Sequence, residues 1–294
     1  MSTPEVSVII PAYNAARYLS DSITSVIGQS YAAWELVVVD DGSSDNTAEI
    51  AGAFLSDERI RIIKQSNKGV SAARNAGINV ARGRYITFLD ADDAYLPENI
   101  AKKYSILIQN PSIDFVYCDA IMCDGNLNEE RIEKGVATDN LFRKVIEWKG
   151  ESIPASSSNI FVKAGLMKEK FRFDEQLSNC ADRYMKIMLA KYARPYYLPE
   201  ALIKYRNSPG SMSKQVGLLE HDEKYIISKI VQENIVPQGR SRNKIIANIY
   251  LILSGSWYRN AHHPARAIKY GIKAILTYPP VIRKLAAKLM QRGH

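Results

Sequence analysis

The sequence predicts an α/β domain with a mostly parallel sheet covered by helices on both faces, followed by a basic helical extension. Three observations lead there. Short β-branched runs alternate with longer segments of helical periodicity over the first hundred residues. The strand-like runs are apolar at consecutive positions, as strands buried on both faces require. A chain of 294 residues, 46% hydrophobic and 24% charged, is long enough to bury a sizeable core.

The elements follow in order. Val6 to Ile10 reads as a strand, after which Leu19, Ile23, Val26 and Ile27 repeat at helical spacing. Glu35 to Val39 is a second strand, followed by Ile50 and Phe54 on a helix capped by Ser44 or Asp45. Arg59 to Ile63 is the third strand. Val70, Ala73, Gly77 and Val80 then mark a helix, and Tyr85 to Leu89 the fourth strand. Pro97 suits the first position of a helix bearing Ile100, Tyr104, Leu107 and Ile108, and Asp114 to Cys118 reads as another strand. Residues 120 to 215 carry weaker periodicity. Helical spacing returns at Tyr184, Ile187, Met188 and Lys191, and again from about residue 220. The expected division is therefore residues 1–215 and 216–294. Within the second part, Gly255, Tyr258, Ala267, Ala274 and Pro279 are spaced as in one tetratricopeptide unit, for which the simpler reading is a helical hairpin.

Composition narrows the function. Cys118, Cys123 and Cys180 are an odd number without CxxC spacing, which suits neither a disulfide framework nor a zinc site and points to a reducing, cytoplasmic setting. The stretch MSTPEVSVIIPAYN has no basic region leading into a long apolar run, and the charge-free run Ile245 to Tyr258 is short for a bilayer crossing. All four histidines lie beyond residue 214, so chemistry in the first part proceeds without imidazole, against a Ser-His-Asp hydrolase or a His-ligated metal there. The net charge of +8 resides in the last eighty or so residues, and no acidic residue follows Glu233.

In open α/β sheets ligands sit beyond the carboxyl ends of the strands. There the chain places VVVDDGSSDNT (37–47) and ITFLDADDAYLP (86–97), with NKGVSAARNAG (67–77) between them. Asp90, Asp92 and Asp93 stand within four residues, a density of negative charge that calls for a cation. Oxygen ligands of this kind suit Mg²⁺ or Mn²⁺ completed by water and substrate phosphates. No GxGxxG and no GxxxxGK is present, excluding the dinucleotide fingerprint and the P-loop. A nucleotidyltransferase would want a Gly-rich basic loop after the first strand, where this chain has PAYNAARY.

The blocks VSVIIPAYN, ELVVVDDGSSDNT, NKGVSAARNAG and YITFLDADD, in this order and spacing, resemble the nucleotide-sugar domain of the family 2 glycosyltransferases. The likeness continues more loosely through IPASSSNIFVKAG, FRFDEQLSNCADRYMKIMLAKY and YRNSPGSMS, to about residue 215. It implies a Rossmann-like GT-A fold and inverting sugar transfer from a UDP, GDP or dTDP sugar to a saccharide or lipid-linked acceptor, with Mn²⁺ or Mg²⁺. By position, it assigns Pro11, Ala12, Tyr13 and Asp41 to the nucleoside, Arg74 to base or diphosphate, Asp90 to the ribose and Asp92 to the metal. It assigns the acceptor-deprotonating base to Asp182. Two departures stand out. Ala181 replaces the acidic residue usual before the base, and Ser208 the histidine of a YRxHxxSxS motif. Tyr184, Tyr196, Tyr197 and Tyr205 offer ring faces for sugars.

In the tail, Lys269, Lys273, Arg283, Lys284, Lys288 and Arg292 alternate with Ile268, Ile272, Ile275, Ile282, Leu285 and Leu289 near helical spacing. That pattern predicts an amphipathic basic surface for anionic membrane lipid at the inner face of the plasma membrane. No nucleic-acid motif accompanies the charge, so no nucleic-acid partner is expected.

Overall fold

The structure, a computed structural model, describes residues 3–148, 152–207 and 215–282. The chain divides into two compact units, residues 1–145 with 149–209, and residues 146–148 with 210–294.

The first unit begins with β1 (Val6–Ala12), α1 (Leu19–Ile27), β2 (Trp34–Asp40), α2 (Thr47–Gly52), β3 (Ile60–Lys64), α3 (Val70–Val80) and β4 (Tyr85–Phe88). It continues with β5 (Ala94–Tyr95), α4 (Asn99–Gln109), β6 (Phe115–Cys123), β7 (Glu129–Glu133) and α5 (Leu141–Glu147), whose last two residues belong to the second unit. A 3-10 turn at Ser156–Asn159 leads into β8 (Phe161–Lys163), α6 (Ala164–Glu169), α7 (Ala181–Tyr192) and β9 (Pro195–Arg206). The strands form one sheet in the order β3-β2-β1-β4-β8-β6-β9-β5, with β7 paired to β6. Pairing is parallel from β3 through β4 and again between β6 and β9; β8 inserts antiparallel between β4 and β6.

Every residue of β1 and β2 is buried, so both sheet faces are covered there, as their unbroken apolar runs require. Leu19, Ile23 and Val26 form the buried stripe of α1. Helix α3 lies close on β1: a Cβ at Gly77 would stand 2.4 Å from Cγ2 of Ile9, so only glycine permits this approach.

The strand–helix order of the first hundred residues is as the sequence predicts, with local differences. Asn46, not Ser44 or Asp45, is the N-cap of α2, because Asp45 sits one residue further out, where its Oδ1 accepts from the Thr47 amide at 3.0 Å. Pro97 precedes α4 instead of opening it, because the Asn99 amide closes a turn onto the Leu96 carbonyl while the Pro97 carbonyl takes the Ser30 amide at 2.9 Å. Strand β6 runs on to Cys123, since β9, a strand that begins only at Pro195, pairs along it.

The second unit holds α8 (Val216–Gln232), α9 (Arg240–Arg259) and α10 (Pro264–Thr277). Helices α9 and α10 form an antiparallel hairpin, with Ser254 bonded to the Ala267 carbonyl, Tyr250 ringed against Tyr270 at 6.0 Å, and Arg240 reaching Tyr278. Ala267, Tyr270 and Ala274 are the buried face of α10. Its opposite face leaves Ile268, Ile272 and Leu276 exposed at 63%, 52% and 77%. Arg283, Lys284, Leu285, Lys288, Leu289 and Arg292 of the predicted surface, and Ser208, lie outside the described residues. Among the described residues no helix is long and apolar enough to cross a membrane.

Candidate active site

The carboxyl ends of β1, β2 and β4 meet at one edge of the sheet, as their parallel register dictates. Pro11 and Ala12 close β1 and are buried; Tyr13, the next residue, is 52% exposed. The loop after β1 is tied to the loop after β2 by bonds from the Asn14 amide to Ser43, the Ala15 amide to Thr47 and the Ala16 amide to Asp45. Asp41 is buried and gathers a third loop. Its carboxylate accepts from Gln65 Nε2 at 2.7 Å, the Lys68 amide at 2.9 Å and the Gly69 amide at 2.8 Å. Gly42 adopts φ +74°, and a Cβ there would stand 2.7 Å from the Asn67 amide nitrogen, so this loop closes only over glycine.

Arg74 projects from α3 to the end of β4, where Nη2 donates to Asp90 Oδ1 at 2.7 Å and the guanidinium lies 5.0 Å from the Phe173 ring. The three carboxylates after β4 have different surroundings. Asp90 is half-buried and paired with Arg74. Asp93 is fully buried, accepting from Ser158 Oγ at 2.6 Å and the Arg206 amide at 3.0 Å. Burial first, then the like charges of Asp92 and Asp90, push its carboxyl well above the usual range. Asp92 is half-buried, and its carbonyl accepts from Arg206 Nε at 2.7 Å.

Arg206, the last residue of β9, stands at this strand end, and the sequence alone assigns it no role. It is 3% exposed, and besides Asp92 it bonds the Gly125 carbonyl and Asp21 Oδ2, each at 2.7 Å, under the Tyr18 ring. In the sequence it is marked only as the arginine of the YR pair that opens YRNSPGSMS. Arg74 is thus paired with a strand-end carboxylate, while the Arg206 guanidinium ties the backbone of the acidic turn to Asp21.

Among the described residues no group of three or more His, Cys, Asp or Glu side chains is arranged to hold a metal. Asp90 is paired with Arg74 and Asp93 is buried on Ser158, and Asp92, the carboxylate that the family likeness assigns to an ion, is half-buried beside them. One carboxylate completed by water and a diphosphate is a set that Mg²⁺ or Mn²⁺ accepts, so the residues fit an ion bridged to substrate and not a protein cage.

Asp182 stands in the first turn of α7, half-buried, with Ala181 buried beside it. Ser156 Oγ donates to Asp182 Oδ2 at 3.0 Å, and Lys186 Nζ lies 3.7 Å from the same oxygen. Helix α3 supports this side too, since Ser71 bonds the Leu177 carbonyl and Asn75 exchanges two bonds with the Phe173 backbone, fixing the segment that leads into α7. Of the four tyrosines, Tyr197 is stacked on Tyr117 at 5.4 Å and bonded to Asp119, Tyr184 is buried, Tyr205 is half-buried and Tyr196 is 39% exposed.

The family model described as Glycosyl transferase family 2 matches residues 7–169. Glycosyltransferase GlyG of Streptococcus pneumoniae is 31% identical over 230 residues, covering 71% of this chain and 73% of that protein. The Escherichia coli protein WfgD, named UDP-Glc:alpha-D-GlcNAc-diphosphoundecaprenol beta-1,3-glucosyltransferase, is 44% identical over 113 residues, 38% of this chain and 44% of that protein, so the chain spans less than half of this relative's length. The solved mannosyltransferase PcManGT of Pyrobaculum calidifontis, in complex with GDP-Man and Mn²⁺, superposes with a TM-score of 0.60 at 16% identity, covering all of this chain and 82% of that one. With the strand ends, the acidic turn and α7 all inside a GT-A-type fold, and the family match running through more than half of its length, the chain belongs to glycosyl transferase family 2.

Proposed function

We propose that this protein transfers a glycosyl group, with inversion, from a UDP, GDP or dTDP sugar to an acceptor hydroxyl in the synthesis of a cell-surface polysaccharide or glycolipid. The observation that carries this reading is the turn Ser156–Asn159. Ser156 bonds Asp182 and Ser158 bonds Asp93 and the Asp90 amide, so donor-side and acceptor-side carboxylates lie against one short turn.

The acceptor oxygen forms its bond to the anomeric carbon as the bond from that carbon to the diphosphate breaks. The acceptor proton passes to Asp182, which needs to be within hydrogen-bond reach of the hydroxyl. The electron pair leaves on the diphosphate, whose charge faces Arg74. Pro11, Ala12, Tyr13 and the loops gathered by Asp41 receive the nucleoside, and Asp90 the ribose. Asp92 would hold a Mn²⁺ or Mg²⁺, which would supply Lewis-acid stabilisation of the leaving diphosphate. WfgD's name specifies a lipid-diphosphate acceptor. A lipid-linked acceptor at the inner face of the plasma membrane accords with the basic, apolar outer face of α10, a surface for anionic lipid.

The test is turnover of labelled UDP, GDP and dTDP sugars by the full chain with saccharide and lipid-diphosphate acceptors, with Mn²⁺ or with EDTA. The expected result is metal-dependent transfer from one nucleotide class, with the product anomer inverted by NMR. Nucleotide binding without transfer or hydrolysis would instead mark a binding protein.

A further inference from the structure

Asp182 has no second carboxylate beside it on α7: the preceding residue is Ala181, and Asp182 is the acidic residue of the first turn. Its hydrogen bond comes from outside the helix, and its ion pair from Lys186 one turn along α7. Ser156 Oγ donates to Oδ2 at 3.0 Å, and Lys186, 3.7 Å from that oxygen, is itself tied to the Ile153 carbonyl at 2.8 Å. Both contacts therefore lead to the segment Ile153–Ser156.

That segment is held in an unusual conformation. Ala155 and Ser156 have φ of +57° and +47°, a left-handed pair without glycine. Such backbone persists where the surroundings over-determine it. Here they do. The Asn159 side chain accepts from the Cys118 amide and Lys103 Nζ and donates to the carbonyls of Cys118 and Pro154. Thr87 Oγ1 holds the Ile160 carbonyl, and Ser158 joins the Asp90 amide to the Asp93 carboxylate. The turn is thus bolted to β4, β6 and α4 while its first hydroxyl points at α7.

We propose that Ser156 is a positioning residue, whose hydroxyl, fixed by the strained turn, aims the Asp182 carboxylate at the acceptor hydroxyl and sets its span from the donor-side strand end. This rests on Asp182 acting as the base. With Ser156 and Lys186 both on Oδ2, Oδ1 is the oxygen left for the acceptor, and Ser156 is the contact that α7 does not itself supply.

The experiment is a double-mutant cycle between Ser156 and Asp182. Ser156→Gly removes the hydroxyl and suits the left-handed backbone, so the expected melting temperature is near wild type. Its kcat should fall about tenfold or more with the donor KM changed less than about threefold. Ser156→Ala, which lacks the hydroxyl but keeps the strained Cβ, should match it in kcat while melting lower. In an Asp182→Asn background, Ser156→Gly should cost nothing further. A wild-type kcat for Ser156→Gly, a kcat differing between the Gly and Ala variants, or an equal loss in the Asp182→Asn background would each overturn the positioning role. Asp182→Asn at the wild-type rate overturns the base assignment itself, and with it this role; a collapsed Asp182→Asn rate beside an intact Ser156→Gly rate overturns the positioning role alone.

Discussion

Arg74 and Asp90 are joined by one bond of 2.7 Å, and the buried Nε of the same guanidinium has no hydrogen-bond partner among the described residues. A buried donor left unpaired costs about 1–3 kcal/mol. The Asp90 bond holds the guanidinium at the strand end, where its charge stands beside the diphosphate of the proposed chemistry.

Arg74→Ala should therefore lower kcat/KM for the donor by roughly 10²-fold, and Arg74→Lys should recover only part of the loss, because an ammonium lacks the planar set of donors. Steady-state kinetics with the preferred donor checks this. Full recovery by lysine would reduce the role of Arg74 to bare charge.

Asp92 carries the metal expectation. Asp92→Ala should remove both the metal dependence of donor binding and turnover, while the fold, held by Asp93 and Arg206, stays intact. Calorimetric titration with donor, with and without Mn²⁺, reads the first and a turnover assay the second. A rate unaffected by EDTA, together with full activity of the variant, would show that Asp92 holds no required ion.

The legible part of the protein is the part with local periodicity. Strands β1, β2 and β4 and helices α1 and α3 are visible because each buries an unbroken run or a stripe within a dozen residues, β3, with Ile60 alone buried, is visible by its β-branched run, and the acidic strand ends are visible because parallel topology puts them at one edge. The roles of Arg206, Ser156 and Ser158 are not visible locally. Each depends on contacts across 26 to 185 positions, such as Arg206 with Asp21 and Ser156 with Asp182. The weak periodicity of residues 120–215 has the same origin: β9 takes its place through pairing with β6 and β5, not through its own pattern.

Glu35 gives the fold a pH dependence away from the proposed chemistry. It is 1% exposed in β2 and accepts from Ser7 Oγ at 2.6 Å, the Arg82 amide at 2.6 Å, Arg82 Nε at 2.8 Å and Arg61 Nη2 at 2.8 Å. Burial alone would raise its carboxyl, but the bonds from Ser7 and Arg82 and the charge of Arg61 outweigh it and hold the group below the usual glutamate value. A depressed folded-state value means stability that is fully present above the unfolded-state value and lost as pH falls through the folded one. Glu35→Gln should cost about 2–3 kcal/mol at pH 7 and progressively less in acid. Urea denaturation across pH 3 to 7 checks the convergence; a constant gap between the two proteins would contradict it.

The outer face of α10 decides the membrane proposal. Ile268, Ile272 and Leu276 follow one another at four-residue steps and stand exposed. Lys269, exposed, follows Ile268 by one residue and so flanks the stripe, while half-buried Lys273, one residue after Ile272, sets its ammonium 5.7 Å from the Tyr250 and Tyr270 rings. No acidic residue occurs on this helix. Self-association through the same face would set these cations near their own copies, whereas an anionic bilayer accepts both the aliphatic side chains and the charge. Each basic residue near such a surface contributes about 1 kcal/mol, which salt screens. The protein should co-sediment with phosphatidylglycerol vesicles at low salt, release at high salt, and lose binding in Ile272→Glu and in Lys269→Glu without a change in melting temperature. Equal binding to phosphatidylcholine vesicles would remove the electrostatic part of the argument. A dimer in solution that Ile272→Glu dissociates would assign the stripe to a second copy of the chain, and the membrane proposal would fall.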